Sequence, residues 1–61
     1  MDRTTKFLRL PSVIEKVGLS RSQIYKLIQR GDFPEPVKIG SKVSVWIEGK
    51  LEVWMDAQVP Q

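Results

Sequence analysis

Apolar positions in the first half of the chain fall into two short runs with helical spacing. In LPSVIEKVG (10–18), Leu10, Val13 and Val17 share one face, and Gly18 stands where a left-handed helix end is expected. Pro11 suits the first helical position, where a missing N–H costs nothing, and Ser12 with Glu15 has the spacing of a capping box. The second run starts at Ser20, where Ser20 and Gln23 again have capping-box spacing. Ile24, Leu27 and Ile28 follow at i, i+3 and i+4, and Gly31 closes the helix. Only Gly18, Leu19 and Ser20 separate the two helices, which is the helix-turn-helix pattern, with Leu19 as the plug between them.

Beyond Gly31 the periodicity changes. Pro34 and Pro36 push Phe33 and Glu35 into extended conformations. Val37-Lys38-Ile39 and Val43-Ser44-Val45 then alternate around Gly40-Ser41-Lys42, which predicts a β-hairpin running into Trp46. Ile47, Leu51, Trp54 and Met55 share a helical face and predict a third helix from about Ile47 to Ala57, weakened by Gly49 in its first turn. Phe7 to Leu10 reads as a short strand or an extended lead-in. Phe33, Trp46, Trp54 and Phe7 are the expected aromatic core. The fold class that follows is mainly α with a small β-hairpin, a winged helix-turn-helix whose hairpin is the wing and whose third helix is C-terminal. Residues 1–8 are expected to form a flexible arm, 9–57 the domain and 58–61 a tail.

A chain of 61 residues is one domain at most. It has no cysteine and no histidine, which removes disulfides, thiolate metal sites and the commonest general base. No phosphate-binding glycine loop is present. Glu48, Glu52 and Asp56 recur at i+4 on the last helix and read as a solvated face. Neither an enzyme nor a cofactor, metal or small-molecule ligand is therefore expected. The N-terminus lacks the apolar stretch of a signal peptide, and no run is long enough to span a membrane, so a cytoplasmic protein is expected.

Charge sharpens the picture. Residues 1–30 carry Arg3, Lys6, Arg9, Lys16, Arg21, Lys26 and Arg30 against Asp2 and Glu15, whereas residues 31–61 are mildly acidic, within a net charge of +3. The outer face of the second helix is basic, and a helix N-terminus offers free N–H groups and a positive dipole end to a phosphate. The candidate DNA-binding residues on this helix are Ser20, Arg21, Ser22, Gln23, Tyr25, Lys26 and Arg30. On the wing they are Lys38, Ser41, Lys42 and Ser44. Arg3, Lys6 and Arg9 could add an arm along the phosphates. Plainer roles stay open for each: cap for Ser20 and Gln23, core edge for Tyr25, dipole complement for Arg30, and ordinary solvated surface for the hairpin positions.

The pieces RLP (9–11), GLSRS-x-IY (18–25), RGDFP-x-PVK (30–38), Trp46 after the hairpin and LEVW (51–54) resemble the AlpA family of small phage and prophage regulators. The resemblance covers about residues 9–57. It implies a MerR-like winged helix-turn-helix related to excisionases, with double-stranded DNA as partner. Ser20, Arg21, Ser22, Tyr25 and Lys26 would lie in the recognition helix, and Gly40, Ser41 and Lys42 at the wing tip. Gly49 departs from the family pattern. Two DNA-binding roles remain open under it, a prophage transcriptional regulator or an excisionase that bends DNA near an attachment site. Further partners would be the protein itself on repeated sites, or an integrase. A protein-interaction adaptor whose basic helix meets an acidic protein is the alternative from another class.

Overall fold

The three helices, the central strand and the segment after the second helix each send one apolar residue to a single point. Val13, Ile24, Phe33, Trp46 and Leu51 form the buried cluster, and Leu8, Leu10, Ile14, Val17, Leu19, Leu27, Ile28 and Trp54 pack around it. The computed structural model describes residues 5–60. In chain order the elements are β1 (Phe7–Leu8), α1 (Leu10–Val17), α2 (Arg21–Gln29), β2 (Val37–Ile39), β3 (Val43–Ile47) and α3 (Glu48–Gln58).

The helix boundaries follow local chemistry. α1 begins one residue before Pro11 and carries no side-chain cap, so Ser12 and Glu15 do not form the capping box their spacing suggested. At its other end Gly18 takes φ 74° and returns its N–H to the Ile14 carbonyl at 2.9 Å. A Cβ placed there would meet nothing within 4 Å. The cost of Gly18→Ala is therefore backbone strain alone, roughly 1–2 kcal/mol. It should lower the thermal midpoint by about 4–8 °C per kcal/mol. Circular dichroism melts check this, and an unchanged midpoint would contradict the left-handed cap.

In α2 the expected box is complete. Ser20 Oγ accepts from the Gln23 N–H at 3.2 Å, and Gln23 Oε1 accepts from the Ser20 N–H at 2.9 Å. The helix ends in a Schellman arrangement. Gly31 at φ 79° donates its N–H to the Ile28 carbonyl, and Asp32 donates to the Leu27 carbonyl at 2.8 Å.

The sheet has three strands, not the two of the expected hairpin, in the order β1-β3-β2, antiparallel throughout. Phe7 lies opposite Ile47 and Leu8 opposite Trp46. Phe7 and Leu8, which fall within the arm expected over residues 1–8, are a paired strand here, and Leu8 packs on the core. Residues 1–4 of that arm lie outside the described residues. Phe7 is not core as expected: it is 53% exposed. Pairing with Ile47 turns it to the opposite face from Leu8 and Trp46. α3 starts at Glu48 and runs through Gln58, one residue into the expected tail.

Two indole N–H groups fix the segment between α2 and the hairpin. Trp54 Nε1 donates to the Asp32 carbonyl at 2.7 Å, and Trp46 Nε1 donates to the Pro34 carbonyl at 3.1 Å. Phe33 sits between these anchors with its ring edge-on to Trp54 at 4.8 Å. A segment that two prolines deprive of backbone donors is thus satisfied from the side chains of β3 and α3. This clamp sets where the wing leaves the helix pair.

Candidate nucleic-acid interface

At about 100° per residue, the buried Ile24 and half-buried Leu27 and Ile28 turn the rest of α2 outward. Ser20, Arg21, Ser22, Gln23, Tyr25, Lys26, Gln29 and Arg30 are all exposed, Tyr25 at 39%. No carboxylate occurs between Gly18 and Gly31, so this surface carries positive charge without internal neutralisation.

The exposed side chains are not equally free. Gln23 is held in the capping box, which is worth about 1 kcal/mol to the helix. Ser20 Oγ is used as an acceptor there, but its O–H can still donate. Arg30 Nη2 lies 3.4 Å from Asp32 Oδ2, an exposed pair that spends its charge locally. Arg21 lies over the Tyr25 ring, its guanidinium carbon 5.9 Å from the ring centre. That contact sets the guanidinium beside the Tyr25 ring, and is worth about 0.5–1 kcal/mol at an exposed site. Arg21, Ser22, Tyr25 and Lys26 thus form one stripe across two turns, and neither charge is paired with a carboxylate among the described residues.

Lys38, Ser41 and Lys42 on the wing are exposed, and Ser44 is half-buried. Lys38 lies opposite Ser44, on the same sheet face as Leu8 and Trp46. That is the face turned toward the helices. Gly40, at φ 66°, begins the turn that carries Ser41 and Lys42 to the tip. Lys6 and Arg9 flank β1 and are exposed; Arg3 lies outside the described residues.

Lys16, like Arg30, is a cation of the basic half already engaged by carboxylates. Lys16 Nζ lies 3.2 Å from Glu52 Oε2 and 3.3 Å from Glu48 Oε2, tying α1 to α3. Its hydrogen bond to Glu52, then that to Glu48, holds the ammonium above the ordinary lysine value. The acidic row on α3 is therefore not simply solvated: two of its three carboxylates hold α1. Residue spacing gave no sign of this, because the partners stand 32 and 36 positions apart.

A tight helix-turn-helix followed by a sheet whose hairpin projects as a wing defines the winged helix-turn-helix class. The chain belongs to the family of the prophage CP4-57 regulatory protein (AlpA), whose family model matches residues 6–59. It is 43% identical over 54 residues to the uncharacterized protein ORF88 of Enterobacteria phage P4, covering 88% of this chain and 61% of that protein. It is 38% identical over 56 residues to the DNA-binding transcriptional activator AlpA of Escherichia coli, covering 82% of this chain and 80% of that one. The chain thus spans less than two thirds of the phage P4 relative. No solved structure matches it.

Proposed function

We propose that this protein is a small prophage-type regulator that binds double-stranded DNA, with α2 in the major groove and the wing tip on the neighbouring backbone. The observation that carries this reading is the stripe Arg21, Ser22, Tyr25 and Lys26, exposed on a helix without a single carboxylate. A major groove about 12 Å wide accepts such a helix. The first turn of α2 offers the N–H groups of Arg21 and Ser22 to a phosphate, since the Gln23 N–H is already bonded to Ser20. Arg21 reads a guanine edge or grips a phosphate, and Lys26 follows one turn along. Lys42 and Ser41 at the tip contact backbone, and Lys38 with Ser44 faces the groove between wing and helix.

The DNA-binding activity of the Escherichia coli relative supports the reading. The role is one of binding, with no catalytic step, and it places the protein with the host's DNA in the cytoplasm. A single module of this kind buries only roughly 600–1,000 Å² on DNA, so tight occupancy calls for several sites. Gel-shift titration with duplexes from the flanks of the chain's own gene tests it. A retarded complex that weakens steeply as salt rises is expected. Absence of any complex with every duplex, even at low salt, would sink the reading.

A further inference from the structure

Among the described residues, the second face of the sheet stays partly exposed. Because Trp46 and Leu8 point into the core, their strand neighbours point away from it. The pairings Phe7–Ile47, Val37–Val45 and Ile39–Val43 therefore lie on the outward face, and all six residues are apolar. None belongs to the core cluster. Phe7 is 53%, Ile39 45% and Val37 36% exposed, while Val45, in the middle row, is buried. An ordinary solvated sheet face would be polar at these positions.

We infer that this face receives the same face of a second copy of the chain, and that the contact closes only between copies already seated on DNA. The inference rests on the DNA-binding reading above. Three observations choose the occupant. The face holds no ionisable side chain, so two copies can meet there without burying a charge. Its size is too small for a free dimer. Strand spacing and rise make it roughly 15 Å square, on the order of 200–250 Å², whereas the smaller stable interfaces bury about 600 Å² on each partner. Finally, each copy carries a net charge of +3, and Lys6 and Lys42 adjoin the face in sequence. Two free copies repel, and duplex phosphates remove that repulsion while raising the local concentration of one copy beside the next.

The absence of cysteine from the chain gives a clean test. Val37→Cys, and Val53→Cys on the exposed side of α3 as control, are treated with a short bismaleimide, with and without a random-sequence duplex long enough for several copies, at low salt. The inference expects cross-linked dimers from Val37→Cys on the duplex, several-fold above those without it and above those from Val53→Cys. Equal cross-linking of the two variants on DNA overturns it, as does equal cross-linking of Val37→Cys with and without DNA. In parallel, fluorescence anisotropy follows binding to the same duplex. Phe7→Ser combined with Val37→Ser, confirmed folded by circular dichroism, should keep first-copy affinity and lose a cooperativity of roughly tenfold between neighbours. Cooperativity unchanged in that variant, or first-copy affinity lost with it, overturns the inference. Failure of the unmodified protein to bind the duplex at all is seen in the anisotropy alone, and removes the DNA-binding reading itself.

Discussion

Replacing Trp46 by alanine is expected to leave the chain largely unfolded at room temperature. Trp46 is 1% exposed and sits at the centre of the cluster formed by Val13, Ile24, Phe33 and Leu51. Removing a buried tryptophan costs about 3–5 kcal/mol. The change also strands the Pro34 carbonyl, which accepts from the indole, at a further ~1–3 kcal/mol if water cannot replace the donor. At roughly 0.05–0.15 kcal/mol per residue, a chain of 61 residues has on the order of 3–9 kcal/mol to lose. Far-UV circular dichroism at room temperature checks this. Trp46→Phe keeps most of the ring and loses the donor, so it should remain folded with a lowered midpoint. A cooperative melt of Trp46→Ala within a few degrees of the parent would mean the core does not hinge on this ring.

The second large effect is on binding. Arg21→Ala combined with Lys26→Ala removes both cations from the outer stripe of α2, which have no carboxylate partner among the described residues. An arginine that reads a base is worth about 1–3 kcal/mol, or roughly tenfold or more in affinity. A lysine on a phosphate weakens binding more uniformly across sequences. The fold should survive, because both residues are exposed and the Arg21–Tyr25 contact that is lost is a weak one. Arg30→Ala is the internal comparison. Its charge is shared with Asp32, so its effect on affinity should be the smaller.

Local signals in the sequence were enough for the parts of the domain that depend on neighbours in the chain. The Ser20–Gln23 box, the glycine ends at Gly18 and Gly31 and the three-residue turn each act over a few residues, and all appear in the structure. The hairpin was legible from alternation for the same reason. Alternation, however, says which residues share a face and not which face is covered. Trp46 settles that by being the larger side chain to bury, which sends the valines outward and leaves Lys38 and Ser44 on the helix side. The pairing of Phe7–Leu8 with β3 spans some forty positions, and the Lys16 ties to Glu48 and Glu52 are nearly as distant. No residue near either end of those contacts announces the other. For the candidate site, exposure and helix face were legible. What the sequence could not give was which side chains are already engaged, since Arg30 and Asp32 or Arg21 and Tyr25 meet only once the helix and its cap are built.

The most direct test of the central claim is the salt dependence of duplex binding, measured by fluorescence anisotropy for the parent and for Arg21→Ala with Lys26→Ala. Each phosphate neutralised on B-DNA contributes about −0.9 to the slope of log affinity against log salt. If Arg21 and Lys26 both lie on phosphates, the parent shows a steep linear dependence and the double variant a slope shallower by about 1.8; if Arg21 reads a base instead, the change falls to about 0.9 with a larger loss of affinity. A double variant that is folded and binds with the parent's slope and affinity would contradict the assignment of α2 as the DNA-contacting helix.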